Sequence, residues 1–251
     1  VMLGFMRGDD GVGFYTAGNK LSHVVLSVVA SLGVVLLPRC SNLIETGQME
    51  AFSKVTSKSY RLVVGLSLPC IVGLIVLAIP DIPIFCGDEF LAAVPVLCWT
   101  APIILFIGLS NVIGLQILYP MGKESIVIWS TVGGAVLNFL LNLLLIPSLG
   151  AVGAAISTFG AELIVLLIQI VVGRRYLSIR LFERDYWNYL NASVLMAFAL
   201  CGLSLLISNS WLLITASVMV GAFSYAGFLW FKRDILFSEI FSFATKLIEN
   251  K

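Results

Sequence analysis

The chain has 251 residues, 59% of them hydrophobic and only 12% charged, and its mean hydropathy is +1.04. Globular domains carry about 25% charged residues, so these values exclude an ordinary water-soluble domain and make the bilayer the solvent for most of the surface. The net charge of +1 gives no electrostatic footprint for nucleic acid.

Residues 1–6 are apolar but too short to span, and read as the end of a truncated helix belonging to a longer protein. Seven longer apolar runs follow, at residues 12–37, 62–79, 93–119, 126–146, 152–172, 190–207 and 211–231. Each is long enough for a hydrocarbon core of about 30 Å. They are too long and too uniformly apolar for the short alternating strands of a membrane barrel. The expected fold is all-α: a polytopic membrane helix bundle of seven full transmembrane helices plus the end of a truncated one. Two polar segments, residues 43–60 and 235–248, read either as amphipathic surface helices or as a solvated connector and tail.

Basic residues orient the runs. All of the 15 Lys and Arg except Arg7 and Lys20 fall in alternate connections or in the tail. The positive-inside rule makes that side cytoplasmic, with the C-terminus and the tail at 232–251 inside. The turn at Pro147–Gly153 is then outside.

Several polar residues lie within the spans. Thr16, Lys20, His23 and Ser27 follow steps of four, three and four, which places them on one helical face, with Asn19 on its flank. A polar stripe on a membrane helix faces other helices or a water-filled cavity. Lys20 reads either as a snorkelling or paired cation, or as a cationic site for an anionic substrate. His23 reads as a packing residue or as a group protonatable near neutral pH. Counting from the outer edge puts Lys20 roughly 10 Å deep and Glu162 roughly 13 Å deep. An ion pair between them is the economical expectation, and a coupling role for Glu162 is the alternative. Asn138 and Asn142 share a face and read as interhelical hydrogen-bonding residues, as do Asn111 and Gln116. Pro69, Pro95 and Pro102 mark sites where a span can kink.

The five cysteines are scattered and His23 is the single histidine, so neither a Cys/His zinc site nor a disulfide framework is expected. The chain lacks the GxxxxGK[ST], HExxH and GxSxG patterns. No set of carboxylates, histidines and serines gathers at one membrane edge, so no catalytic residues, no metal and no enzyme activity are expected.

Five fragments in order carry a family resemblance. They are GVGFYTAGNK at 11–20, LPR at 37–39, FCGDEF at 85–90, GLQIL with GKE at 114–124, and NFLLNLLLIPSLGAVGAA at 138–155. Together they resemble the C-terminal half of bacterial polysaccharide flippases, the O-antigen repeat-unit transporters of the multidrug/oligosaccharidyl-lipid/polysaccharide exporter superfamily. The resemblance implies one lobe, residues 1–251, of a two-lobed alternating-access transporter in the bacterial inner membrane, with the N-terminal lobe missing. It implies an isoprenoid-diphosphate-linked oligosaccharide as cargo, flipped to the periplasmic leaflet during O-antigen and lipopolysaccharide biosynthesis. It also implies coupling to a proton or sodium gradient and work beside polysaccharide polymerase machinery, with membrane lipid all round. Lys20, His23, Asn19, Thr16, Ser27 and Asn138 are the expected cavity residues, and Glu162 the coupling residue or counter-charge. Alternatives are a multidrug or peptidoglycan-precursor exporter of the same superfamily, a membrane glycan polymerase or acyltransferase, and a truncated scaffold.

Overall fold

In a medium without water each backbone group must be satisfied within its own segment, so long apolar runs fold as helices. The computed structural model describes residues 1–177, 179, 181, 183–207 and 209–234. The readings of residues 235–248 as a surface helix, and of Arg180, Lys246 and Lys251, lie outside the described residues. In chain order the α-helices are α1 (Met2–Glu45), α2 (Met49–Val76), α3 (Ala78–Cys86), α4 (Val94–Thr100), α5 (Ile103–Asn111), α6 (Glu124–Leu149), α7 (Ala151–Gly173), α8 (Arg184–Leu206) and α9 (Ser210–Phe231). A 3-10 segment, Asp88–Ala93, precedes α4, and a π-helix, Val112–Leu118, continues α5. Among the described residues seven helical stretches are long and apolar enough to cross a membrane. All seven expected runs fall on them.

The first six residues are not a loose remnant. Met2–Arg7 form a short helical segment set off from the rest of α1 at Gly8, whose φ of 72° and ψ of −170° suit only glycine. Leu3 packs against Ile146 and Ala154. The Arg7 Nε donates to the Ile146 carbonyl at 3.3 Å, and its Nη2 donates to the Pro147 carbonyl. The last carbonyls of a helix lack intrahelical partners and carry its negative dipole end. Arg7 therefore caps α6, and this accounts for a cation on the side otherwise poor in them.

Residues 43–60 do not form a separate surface helix. Residues 43–45 end α1, Thr46–Gln48 turn, and the remainder is the first three turns of α2. Phe52, Thr56, Ser59 and Val63 repeat every three or four residues and are buried, as is Tyr60 beside them, so this face packs on the bundle rather than on a headgroup layer.

The third span is broken as Pro102 predicts. Proline lacks an N–H, and α4 stops at Thr100 while α5 starts at Ile103. At the break the buried hydroxyls of Ser22 on α1 and Thr100 on α4 lie 2.9 Å apart and hydrogen-bond. Near the end of α5 a polar cluster joins α5, α6 and α7. The Ser110 hydroxyl donates to Gln169 Oε1 at 3.1 Å, and Gln169 Nε2 donates to the Ser130 hydroxyl at 3.2 Å.

Helices α6 and α7 form the tightest hairpin. It turns at Gly150, which has φ of 57°. Gly153 abuts the carbonyl of Leu145, and Gly134 abuts Val165, so the backbones meet without intervening side chains.

Polar ties at the basic end fasten the start of α8 to α2 and α8 to the segment after α9. The Arg61 guanidinium pairs with Glu183 at 2.9 Å, with Asp185 at 3.9 Å, and the Tyr189 hydroxyl donates to Asp234 at 2.9 Å. Pro69 explains a third tie. It frees the carbonyl four residues earlier, that of Gly65, and the Tyr225 hydroxyl donates to that carbonyl at 2.6 Å. Leaving a buried carbonyl without a donor costs about 1–3 kcal/mol. Tyr225→Phe is therefore expected to lower the melting temperature of the detergent-purified protein. Pro69→Ala restores an N–H for Gly65, so in that background the same substitution should cost less. Equal costs in both backgrounds would rule this account out.

Candidate functional site: an open polar face on the first helix

The side chains of Thr16, Lys20, His23 and Ser27 are all exposed on α1. At about 100° per residue they and Ser31 span an arc of about 80°, flanked by exposed Val24, Val28 and Val35. Ser27 and Ser31 turn their hydroxyls back to the carbonyls of Val24 and Val28, each at 2.7 Å. Among the described residues Thr16, Lys20 and His23 have no hydrogen-bond or ion-pair partner. The face thus presents an unpaired ammonium, an imidazole and a hydroxyl in sequence along the helix. These donors suit an anion with adjacent hydroxyls, since an ammonium supplies charge-assisted bonds and a hydroxyl supplies neutral ones. Ser31 extends the stripe by one more step of four, a signal present in the sequence but unread there.

Lys20 and Glu162 are level but not paired. The Tyr15 hydroxyl and Thr158 Oγ1 hydrogen-bond at 3.2 Å, which fixes the height of α1 against α7. Both helices run in the same direction, so Lys20, five residues on, and Glu162, four residues on, lie at one depth. Their directions differ. Five residues is a turn of about 140° beyond Tyr15, which carries Lys20 away from α7, whereas four residues keeps Glu162 on the side of Thr158. The expected ion pair is absent among the described residues, and Glu162 is half-buried behind the stripe. Asn19, about 40° from Tyr15, is the stripe residue on its side.

Asn138 lies on α6 and is half-buried. Asn142 Nδ2 donates to Asn138 Oδ1 at 2.8 Å within α6, so the pair is an i,i+4 bond rather than interhelical glue. Gln169 of α7 is a buried amide that does bridge helices. Gln116 is fully buried as expected of a packing amide, and Asn111 is half-buried. Among the described residues no cluster of His, Cys, Asp and Glu has the makings of a metal site.

Seven helical stretches of spanning length among the described residues and one open polar face define an integral membrane helix bundle. Residues 20–223 match the family described as "Lipid II flippase MurJ", and the chain belongs to that family. It is a family of transporters, not of enzymes. The lipid II flippase MurJ of Bacillus subtilis (strain 168) is 25% identical over 160 residues, covering 62% of this chain and 29% of its own. The probable low-salt glycan biosynthesis flippase Agl15 of Haloferax volcanii is 24% identical over 229 residues, covering 89% of this chain and 48% of its own. The structure of lipid II flippase MurJ in an inward closed conformation superposes with a TM-score of 0.80 at 18% identity, over 94% of this chain and 50% of that one. The chain thus spans half or less of the length of these relatives. The family lies within the expected superfamily, but its model is that of lipid II flippases rather than of O-antigen transporters.

Proposed function

We propose that the protein flips a glycan precursor carried on an isoprenoid diphosphate, from the leaflet at its basic end to the opposite leaflet. The carrying observation is Lys20, an unpaired ammonium on an open polar face within a spanning helix. A buried or lipid-facing cation without a partner is costly, and a diphosphate entering a cavity supplies that partner. The hydroxyls of Thr16, Ser27 and Ser31 and the Asn19 amide line the path for sugar hydroxyls, with His23 beside them. Glu162, at the same depth behind the face, serves as the counter-charge that responds when Lys20 gains or loses its ligand. By the charge rule the basic end is cytoplasmic, which makes this an inner-membrane flippase with a cytoplasmic C-terminus. A second lobe supplies the far wall of the cavity.

Two cargoes share this chemistry. The family model supports a peptidoglycan precursor, and the O-antigen-like motifs support a lipid-linked repeat unit. Complementation separates them. The full chain is expressed in one strain depleted of its lipid II flippase and in another lacking its repeat-unit flippase. Growth of the first, or surface polymer in the second, identifies the cargo. Failure in both, at normal protein level, would overturn the proposal.

A further inference from the structure

A second cavity lies on the flank of the bundle, away from the stripe. It holds about 440 Å³ between α2, α3, α8 and α9, within the usual range for small-molecule sites. Its wall is apolar, with Phe85 of α3 and Met196 of α8 among its side chains. Two polar groups on it lack partners. Asp81 is only 6% exposed, and its carboxylate makes no hydrogen bond or ion pair among the described residues. The Ser217 hydroxyl of α9 is likewise buried and unbonded. An isolated buried carboxylate is expensive, and no group among the described residues repays it. Among the described residues on the wall Asp81 is the one charged group. The charge sign is wrong for a diphosphate, so this cavity is not an extension of the polar stripe.

We propose that this cavity binds an ammonium group carried on an apolar body, with the Asp81 carboxylate as counter-ion and the Ser217 hydroxyl as a second contact. The ammonium has three donors, enough for both acceptors, and its apolar body fills the space against Phe85 and Met196. A free lipophilic amine and an ethanolamine-headgroup lipid both carry this chemistry.

Acid should weaken the site. Asp81 lies on α3, between the second and third spans, and burial pushes its carboxyl up from 3.8 to about 6. The other titratable groups on the wall are the Cys70 thiol and the Tyr225 hydroxyl, the latter bonded to Gly65. Val25 of α1 and Leu200 of α8 are apolar, and the acids of the adjacent 3-10 segment, Asp88 and Glu89, are exposed. Affinity should therefore fall as pH drops through about 6. The sign for the empty protein is opposite. A folded-state value raised above the unfolded one means the Asp81 contribution to stability falls as pH rises from 3.8 towards about 6, and Asp81→Asn removes that slope.

The test uses the full chain in nanodiscs of phosphatidylglycerol alone, with n-octylammonium as probe and n-octyl sulfate and n-octanol as controls, read by calorimetry at pH 7.5. The ammonium should bind at least tenfold more tightly than either control. Asp81→Asn should lose at least tenfold in affinity while melting no lower than the parent protein. Ser217→Leu, which fills the cavity and keeps the carboxylate, should also lose binding and guards against a misfolded Asp81 variant. Competition when phosphatidylethanolamine is added identifies the lipid headgroup as occupant, and no competition identifies a free amine. Equal binding of octyl sulfate, or unchanged octylammonium affinity in both variants, would overturn the proposal.

Discussion

Lys20→Ala should slow flipping at least tenfold without removing the protein from the membrane. Loss of a hydrogen bond to a charged group costs about 1.5–3 kcal/mol, and at about 1.4 kcal/mol per factor of ten that is a ten- to hundredfold slower rate when the contact is made on the way across. Lys20 has no partner among the described residues, so its truncation leaves no orphaned carboxylate there and the melting temperature should hold. Lys20→Arg keeps charge and donors and should retain most activity, whereas Lys20→Gln should behave as Ala does. The measurement is accumulation of lipid-linked precursor in the inner leaflet of cells dependent on this protein. His23→Ala should cost less, because it leaves the Lys20 ammonium in place. Normal flipping by Lys20→Ala at normal protein level would remove the ammonium from the mechanism.

Gly153→Val should part the α6–α7 hairpin and cost most of the folded protein. A Cβ on Gly153 would lie 2.5 Å from the Leu145 carbonyl oxygen and 2.6 Å from its carbon. Those are backbone atoms and cannot rotate aside as a side chain does. Overpacking costs about 1–3 kcal/mol where side chains can yield, and more is expected here. At Gly134 the obstacle is the Val165 side chain, 2.4 Å from the added Cβ, with the Ala161 carbonyl at 3.2 Å behind it. Gly134→Ala should be the milder change because Val165 can change rotamer. Gly202 on α8 meets nothing within 4 Å, so Gly202→Ala is the control and should be neutral. Monodisperse protein after detergent extraction, measured for all three variants, should rank Gly202→Ala above Gly134→Ala above Gly153→Val. Gly153→Val extracting as well as the control would refute the close-contact account.

Much of this architecture was legible in the sequence because lipid leaves few options. An apolar run of sufficient length has to be a helix, and the alternation of basic connections gives its direction. Depth could also be counted, which is why Lys20 and Glu162 prove level. Direction could not. Whether two level residues meet depends on the phase of each helix against its neighbour, and the Tyr15–Thr158 bond that sets this phase joins positions 143 apart in sequence. Residues 43–60 failed for a related reason. An apolar face with polar flanks looks the same whether it lies on headgroups or extends a spanning helix along the bundle. Asp81 was hidden by its place in a short connection, where a charged residue reads as exposed; the packing of α9 against α3 and α2 is what buries it. The branch of the superfamily was not legible either. The hairpin and turn motifs that carried the resemblance are tied to the shared frame of helices, not to the sugar.

The ties of α8 and α9 have a mechanical consequence. Arg61–Glu183, Tyr189–Asp234 and Tyr225–Gly65 all lie towards one end of the pair, and the other end is held by apolar contact around the flank cavity. Two helices fastened at one end behave as a cantilever. Thermal bending is small at the root and largest at the free tip, so the turn between α8 and α9 should exchange its amide hydrogens well before the helix ends near Arg61 do. A guest in the flank cavity sits under the free arm, where a modest binding energy damps the widest swing.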